Sequence, residues 1–75
     1  MATRQVNGAA VRALREALGI KQSDLATRAA ISAPYLSNIE AGRKPAGPPL
    51  RRRLANALGV SLDAITSAIP DEDAA

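Results

Sequence analysis

Gln22-Ser23-Asp24-Leu25-Ala26-Thr27-Arg28-Ala29-Ala30-Ile31-Ser32-Ala33-Pro34-Tyr35-Leu36-Ser37-Asn38-Ile39-Glu40-Ala41-Gly42 holds two helices with almost nothing between them. The first runs over about residues 22–29, with Leu25 and Ala29 four apart on one inward face. Its start is poorly marked, because Lys21 stands where a capping Ser or Thr is expected. Asp24 in its first turn partly compensates by sitting at the positive end of the helix dipole. The second helix starts after Ser32, a good cap. Pro34 is tolerated there because first-turn N–H groups have no intrahelical acceptor. Leu36 and Ile39 form its core pair and Gly42 ends it. A link of only residues 30–32 cannot comfortably return the chain antiparallel, so the spacing predicts two helices that cross steeply.

Working outward, a helix is expected after the cap Asn7, with Val11, Leu14 and Leu18 at i, i+3 and i+7 and Gly19 as its stop. Beyond the central pair, residues 43–49 read as a loop. A fourth helix follows Pro48-Pro49, with Leu50, Leu54 and Leu58 on one stripe and Gly59 at its end. A fifth is expected from the cap Ser61, using Leu62, Ile65 and Ile69 and closed by Pro70. No apolar/polar alternation lasts long enough to suggest a strand. The fold class expected is therefore all-α, a compact five-helix domain over residues 7–69 whose core is Leu14, Leu18, Leu25, Leu36, Ile39, Leu54 and Leu58. Residues 1–6 read as a flexible basic arm carrying Arg4, and residues 70–75 as a disordered acidic tail.

Seventy-five residues make one small domain. Such a chain buries roughly 60% of its unfolded surface, which gives modest stability. With neither Cys nor His, zinc fingers, thiol or imidazole catalysis and disulfide scaffolds are excluded. No apolar run approaches a membrane span, and residues 1–20 lack the apolar centre of a secretory signal. Tyr35 is the single aromatic residue, too few for a protein that stacks unpaired bases. No spacing of Asp, Glu, Ser or Lys suggests an enzyme, and no cofactor, metal or small-molecule ligand is expected. Charge is segregated. All ten basic residues lie in residues 1–53 beside three acids, while residues 54–75 carry four acids and no base. That points to a basic face for a polyanion, although lopsided charge is also common on small soluble domains.

At this point a family resemblance carries the reading. Leu14-Arg15-Glu16-Ala17-Leu18-Gly19-Ile20-Lys21-Gln22-Ser23-Asp24-Leu25-Ala26 resembles the opening of the lambdoid repressor/Cro-type (Xre family) helix-turn-helix domain. Ser32-Ala33-Pro34-Tyr35-Leu36-Ser37-Asn38-Ile39-Glu40-Ala41-Gly42-Arg43 is similar to its recognition helix, and Leu54-Ala55-Asn56-Ala57-Leu58-Gly59-Val60-Ser61-Leu62-Asp63 to its link into a last helix. Three blocks in the right order span about residues 7–69. The resemblance implies a lambda-repressor-like fold and a transcriptional regulator, repressor or Cro-like, that binds a double-stranded DNA operator. It implies phosphate contacts from Gln22, with Ser23 beside it, and from Arg43 and Lys44. It also implies a structural ion pair between Arg15 and Glu40. Two residues depart from the pattern. Ala30 stands where the family has Gly in the turn, which costs about 1 kcal/mol if the backbone there is left-handed. Lys21 replaces the usual capping Thr.

With Leu36 and Ile39 inward and about 100° per residue, Pro34, Ser37, Asn38 and Ala41 point outward, with Ala33 at the tip. A recognition helix inserts its N-terminal part into the major groove. Asn38 is the best base reader, since an amide pairs bidentately with adenine. Ser37 discriminates less, and Ala33 and Pro34 offer apolar contact to a thymine methyl. The competing reading makes Ser37 and Asn38 ordinary solvated residues. Arg4, Lys21 and Arg28 are further phosphate candidates. Arg51-Arg52-Arg53 wraps around a helix, so only one or two of the three can contribute, with Arg51 and Arg52 the candidates. Tyr35 lies about 70° from the core direction, leaving edge packing and a phosphate contact evenly balanced.

One recognition helix covers few base pairs, so a weak homodimer, or a dimer formed on DNA, is expected. A two-fold contact would use surplus apolar residues among Val60, Leu62, Ile65 and Ile69, with half-sites about 34 Å apart. The competing function is an antitoxin that binds its own operator and a toxin partner, although only the segment after Ile69 is spare for one. The resemblance implies a cytoplasmic place, at a bacterial nucleoid or in a phage-infected cell.

Overall fold

The computed structural model describes residues 4–68. In chain order these are strand β1 (Arg4–Val6), helices α1 (Gly8–Ala17), α2 (Gln22–Arg28), α3 (Ala33–Glu40) and α4 (Pro48–Leu58), a 3₁₀ turn (Leu62–Ile65) and strand β2 (Thr66–Ala68). Asn7 caps α1 by accepting the Ala10 N–H at 3.1 Å, and Ser32 caps α3 by accepting the Tyr35 N–H at 3.2 Å. Lys21 precedes α2 with no side-chain cap bond. The core is Val11, Leu25, Ala26, Ala29, Leu36, Ile39, Ala46, Leu50, Leu54, Ala55, Leu58 and Ile65. Leu14 packs at its edge. Leu18 does not belong to the core. It is 53% exposed, because α1 ends at Ala17 and Leu18 is already the C-cap.

All four α-helices stop in the same way. The residue past the C-cap or at it turns left-handed, and the next N–H reaches back to a carbonyl five residues earlier, the Schellman turn. At α1, α3 and α4 the left-handed residue is glycine, but at α2 it is Ala30, with φ of 60°. The chain therefore keeps the turn shape and accepts the strain of a Cβ there. One compensation lies next door, where the Arg53 Nε–H donates to the Ala29 carbonyl at 2.8 Å and fixes the end of α2 to α4. Ala30→Gly should stabilise the domain by about 1 kcal/mol and raise the melting temperature by roughly 5 °C. Thermal unfolding checks this, and an unchanged or lower midpoint would mean that the turn holds no strain.

The last helix and the arm both differ from expectation. Among the described residues there are four α-helices, not five. Leu62–Ile65 forms one 3₁₀ turn, and the chain then extends into β2, antiparallel to β1 with Val6 opposite Thr66 and Arg4 opposite Ala68. The reason is partly local and partly a partner from the other end of the chain. Leu62 and Ile65, three apart, suit a 3₁₀ turn as well as an α-helix. The Ile65 carbonyl, which a continuing helix would use for residue 69, instead accepts the Asn7 N–H at 2.7 Å. The β-branched Thr66 favours the extended form. Thus the arm expected over residues 1–6 is, from Arg4 onward, a strand. Each strand is only three residues long, too short for alternation to show in the sequence. The expected roles of Ile69, Pro70 and the acidic tail lie outside the described residues, as do residues 1–3.

Candidate nucleic-acid interface

The placement of α3 follows from its buried side. Leu36 and Ile39 are fully buried, and Glu40 nearly so, which turns the opposite side outward. Pro34 and Ala41 are exposed, while Ala33, Ser37 and Asn38 are half-exposed. The four candidate base readers Ala33, Pro34, Ser37 and Asn38 are thus all accessible, and α2 packs behind them across the residue 29–32 turn.

Glu40 anchors the end of α3. Its carboxylate accepts two bonds from Arg15, Nε at 2.8 Å and Nη2 at 3.1 Å, and a third from Gln22 Nε2 at 3.2 Å. Arg15 Nη1 also donates to the Ile20 carbonyl at 3.0 Å. The hydrogen bond to Glu40 and its charge hold the Arg15 guanidinium above the ordinary arginine range, against the opposing effect of burial. The ion pair is therefore present, and it ties α1 to the last turn of α3. Gln22 is drawn into it, so the first residue of α2 is braced against α3 with one amide N–H still able to point outward. Arg12, Arg15, Gln22, Ser37, Glu40, Ala41 and Arg43 line one polar cleft of about 380 Å³ between the three helices.

Of the other candidate contacts, Ser23, Lys21, Arg28, Lys44 and Arg52 are exposed. Lys44 lies in the turn just past α3, after Gly42 and Arg43, and its N–H donates to the Asn38 carbonyl at 3.3 Å. Arg43 is exposed, but its Nη1 lies 3.4 Å from Asn38 Oδ1. Arg51 is half-buried and lines a cavity together with Lys44, Ala46 and Pro48. Arg53, which sequence reasoning left without a role, faces the α2–α3 turn as described. The Tyr35 hydroxyl donates to the Pro45 carbonyl at 3.3 Å, so the ring holds the residue 43–47 loop against α3. A phosphate contact by Tyr35 would have to replace that bond. The Arg4 contact rests on a side chain outside the described ones. Among the described residues, no group of acidic side chains could hold a metal ion, and no helix is long and apolar enough to cross a membrane.

Two helices joined by a tight turn, the second anchored by its buried face and presenting a polar one, define a helix-turn-helix DNA-binding module. The profile of the helix-turn-helix domain family matches residues 8–67, and the chain belongs to that family. Among solved structures, the chain is similar to the clp gene regulator ClgR of Corynebacterium glutamicum, at 38% identity and a TM-score of 0.73 over 76% of this chain and 75% of that one. It is also similar to the restriction-modification controller protein C.AhdI of Aeromonas hydrophila, at 28% identity and a TM-score of 0.74 over 76% of this chain and 86% of that one. No curated protein matches the chain. Family and neighbours together make it a DNA-binding transcription regulator of the Xre/Cro type.

Proposed function

We propose that the protein is a sequence-specific regulator that lays α3 in the major groove of an operator and represses by occupying it. The observation that carries this reading is the two-sided character of α3. Leu36, Ile39 and the Arg15–Glu40–Gln22 network fix one side, and Ala33, Pro34, Ser37 and Asn38 are presented on the other. Lys44, Gln22, Ser23 and, further out, Lys21, Arg28 and Arg52 supply donors for the flanking phosphates. Repression by occupancy needs no output beyond binding. A cytoplasmic location goes with a DNA target. Two copies on one operator would give a site long enough for specificity. Ile65 is fully buried, so a two-fold contact at the junction after α4 would rest on Leu62, which is 39% exposed, and on the edge of Val60.

The test compares cognate and scrambled duplexes at several salt concentrations. Lys44→Ala should weaken both alike and flatten the slope of log affinity against log salt by about one unit for each phosphate it no longer neutralises. Asn38→Ala should leave the slope nearly unchanged, cost roughly 1–3 kcal/mol on the cognate site and relax preference at one base position in each half-site. If Asn38→Ala binds both duplexes as well as the wild type, Asn38 is a solvated surface residue and α3 does not read bases through it.

A further inference from the structure

We propose that Arg12, on α1, binds a phosphate of the DNA backbone at the rim of the polar cleft between α1, α2 and α3; the proposal rests on the placement of α3 in the major groove. Arg12, Arg15 and Glu16 lie three and four apart, so they share one side of α1. Arg15 is the inner member, turned to Glu40 with its side chain 13% exposed. Arg12 sits one turn earlier, stays exposed, and lines the same cleft with Gln22, Ser37 and Arg43. The contact that fixes α3 to α1 therefore also fixes where Arg12 stands relative to the reading face.

The cleft has a neutral floor and a positive rim. On the floor Arg15 and Glu40 cancel each other's charge. Among the lining residues that leaves the guanidinium groups of Arg12 and Arg43, with the Gln22 amide and the Ser37 hydroxyl between them. Ser37 belongs to the outward side of α3 and Gln22 opens α2, so a duplex that receives α3 in its groove runs a strand past this rim. The bland reading of Arg12 is a solvated partner of Glu16, whose Oε1 accepts its Nε–H at 2.7 Å. The two side chains are 66% and 55% exposed, so that pair contributes little and yields readily. It also occupies only the Nε–H. A guanidinium carries five N–H groups, and the edge formed by Nη1 and Nη2 is left for an anion. A phosphodiester presents two non-bridging oxygens, which a guanidinium fork meets in pairs. Glu16 thus steadies the Arg12 stem while the far edge of the fork binds. Arg12 supplies charge and Gln22 a neutral N–H, and α1, which presents no base-reading face, becomes part of the DNA contact.

The experiment starts from a duplex selected out of randomised sequence with the wild-type chain. Each phosphate of that duplex is then replaced in turn by an uncharged methylphosphonate, and affinities are measured for wild type, Arg12→Ala, Arg12→Lys and Lys44→Ala. Arg12→Ala should melt with the wild type, since the side chain is exposed. It should weaken binding by about tenfold at about 0.1 M salt and flatten the salt slope by about one unit, with the ranking of bases intact. At one linkage, replacement should cost the wild type about as much, and cost Arg12→Ala almost nothing further. Lys44→Ala should keep the full penalty at that linkage and lose one elsewhere. Arg12→Lys should recover most of the affinity, because the charge remains. The proposal is overturned if Arg12→Ala binds as the wild type does. It is equally overturned if Arg12→Ala weakens binding but keeps the wild-type penalty at every linkage, which would make Arg12 part of the general positive field. A wild type that selects no sequence would overturn the operator-reading function itself, a separate and recognisable failure.

Discussion

Glu40→Gln should destabilise the domain by about 3 kcal/mol, with a fall in melting temperature of roughly 15 °C. The Glu40 side chain is 3% exposed and that of Arg15 is 13% exposed, so both charges have left most of their water. Their attraction compensates only while both are present. In Glu40→Gln the guanidinium keeps its charge, because arginine does not lose its proton in proteins. It then faces an amide whose NH₂ group opposes an Arg15 N–H in either orientation, and in one of them Gln22 as well. Arg15→Met alone should cost a similar amount, by stranding the carboxylate. Adding Glu40→Gln to Arg15→Met should cost less than about 1 kcal/mol, because no uncompensated charge remains. Denaturant unfolding of the four proteins closes the cycle. A Glu40→Gln chain that melts with the wild type would reduce the pair to an exposed one, worth well under about 1 kcal/mol.

Gly8→Ala is expected to be as damaging, and here the sign is the informative part. In an exposed helix, Gly→Ala adds up to about 1 kcal/mol of stability from propensity. Gly8 is the first residue of α1, and it is buried. A Cβ built there would run into the Ile39 carbonyl oxygen and lie 3.0 Å from the Glu40 carbonyl oxygen. Both obstacles are backbone, so no rotamer change relieves them. The start of α1 and the end of α3 would have to separate, at a cost of about 3 kcal/mol. Because α3 carries the proposed reading face, DNA affinity should fall further than the loss of folded protein explains. Thermal unfolding together with duplex binding at a temperature where the variant is fully folded measures both. A variant more stable than wild type would show that propensity outweighs the close approach.

Most of the helical frame was legible because its signals are short-range and redundant. Asn7 and Ser32 cap, Gly19, Gly42 and Gly59 stop, and the leucines between them repeat at helical spacing. The ion pair came with the family pattern at Arg15 and Glu40, not from any feature of those two residues alone. What stayed hidden depends on partners distant in the chain. Leu62, Ile65 and Ile69 look like a helix face until Asn7 takes the Ile65 carbonyl, and nothing near residue 65 announces that. Leu18 fits a stripe by spacing, but the helix ends one residue too early to bury it. The outward residues of α3 were readable from Leu36 and Ile39, since two inward positions fix a helix's rotation. The bond between Arg43 and Asn38 was not, because it needs the left-handed turn at Gly42 to bring together residues that no helical face shares. Arg53 was missed for a related reason: a triplet of arginines suggests a polyanion, and the carbonyl it serves belongs to another helix.

The two-stranded pairing at the ends of the domain has a consequence for the order in which the chain assembles. Asn7 and Ser67 are joined by a side-chain bond across 60 residues of sequence. During synthesis the first strand therefore emerges long before its partner exists. The packing of α2 against α3 draws on residues that lie close together, so it can form while the rest is still being made. The N-terminal clasp cannot. Until residues 65–67 arrive, the backbone N–H of Asn7 and its side-chain amide both lack their partners, and the start of α1 is held only from within. A chain ending before residue 65 would thus lack both fastenings of the start of α1 together with the buried Ile65 side chain, so the closing of the two ends comes last.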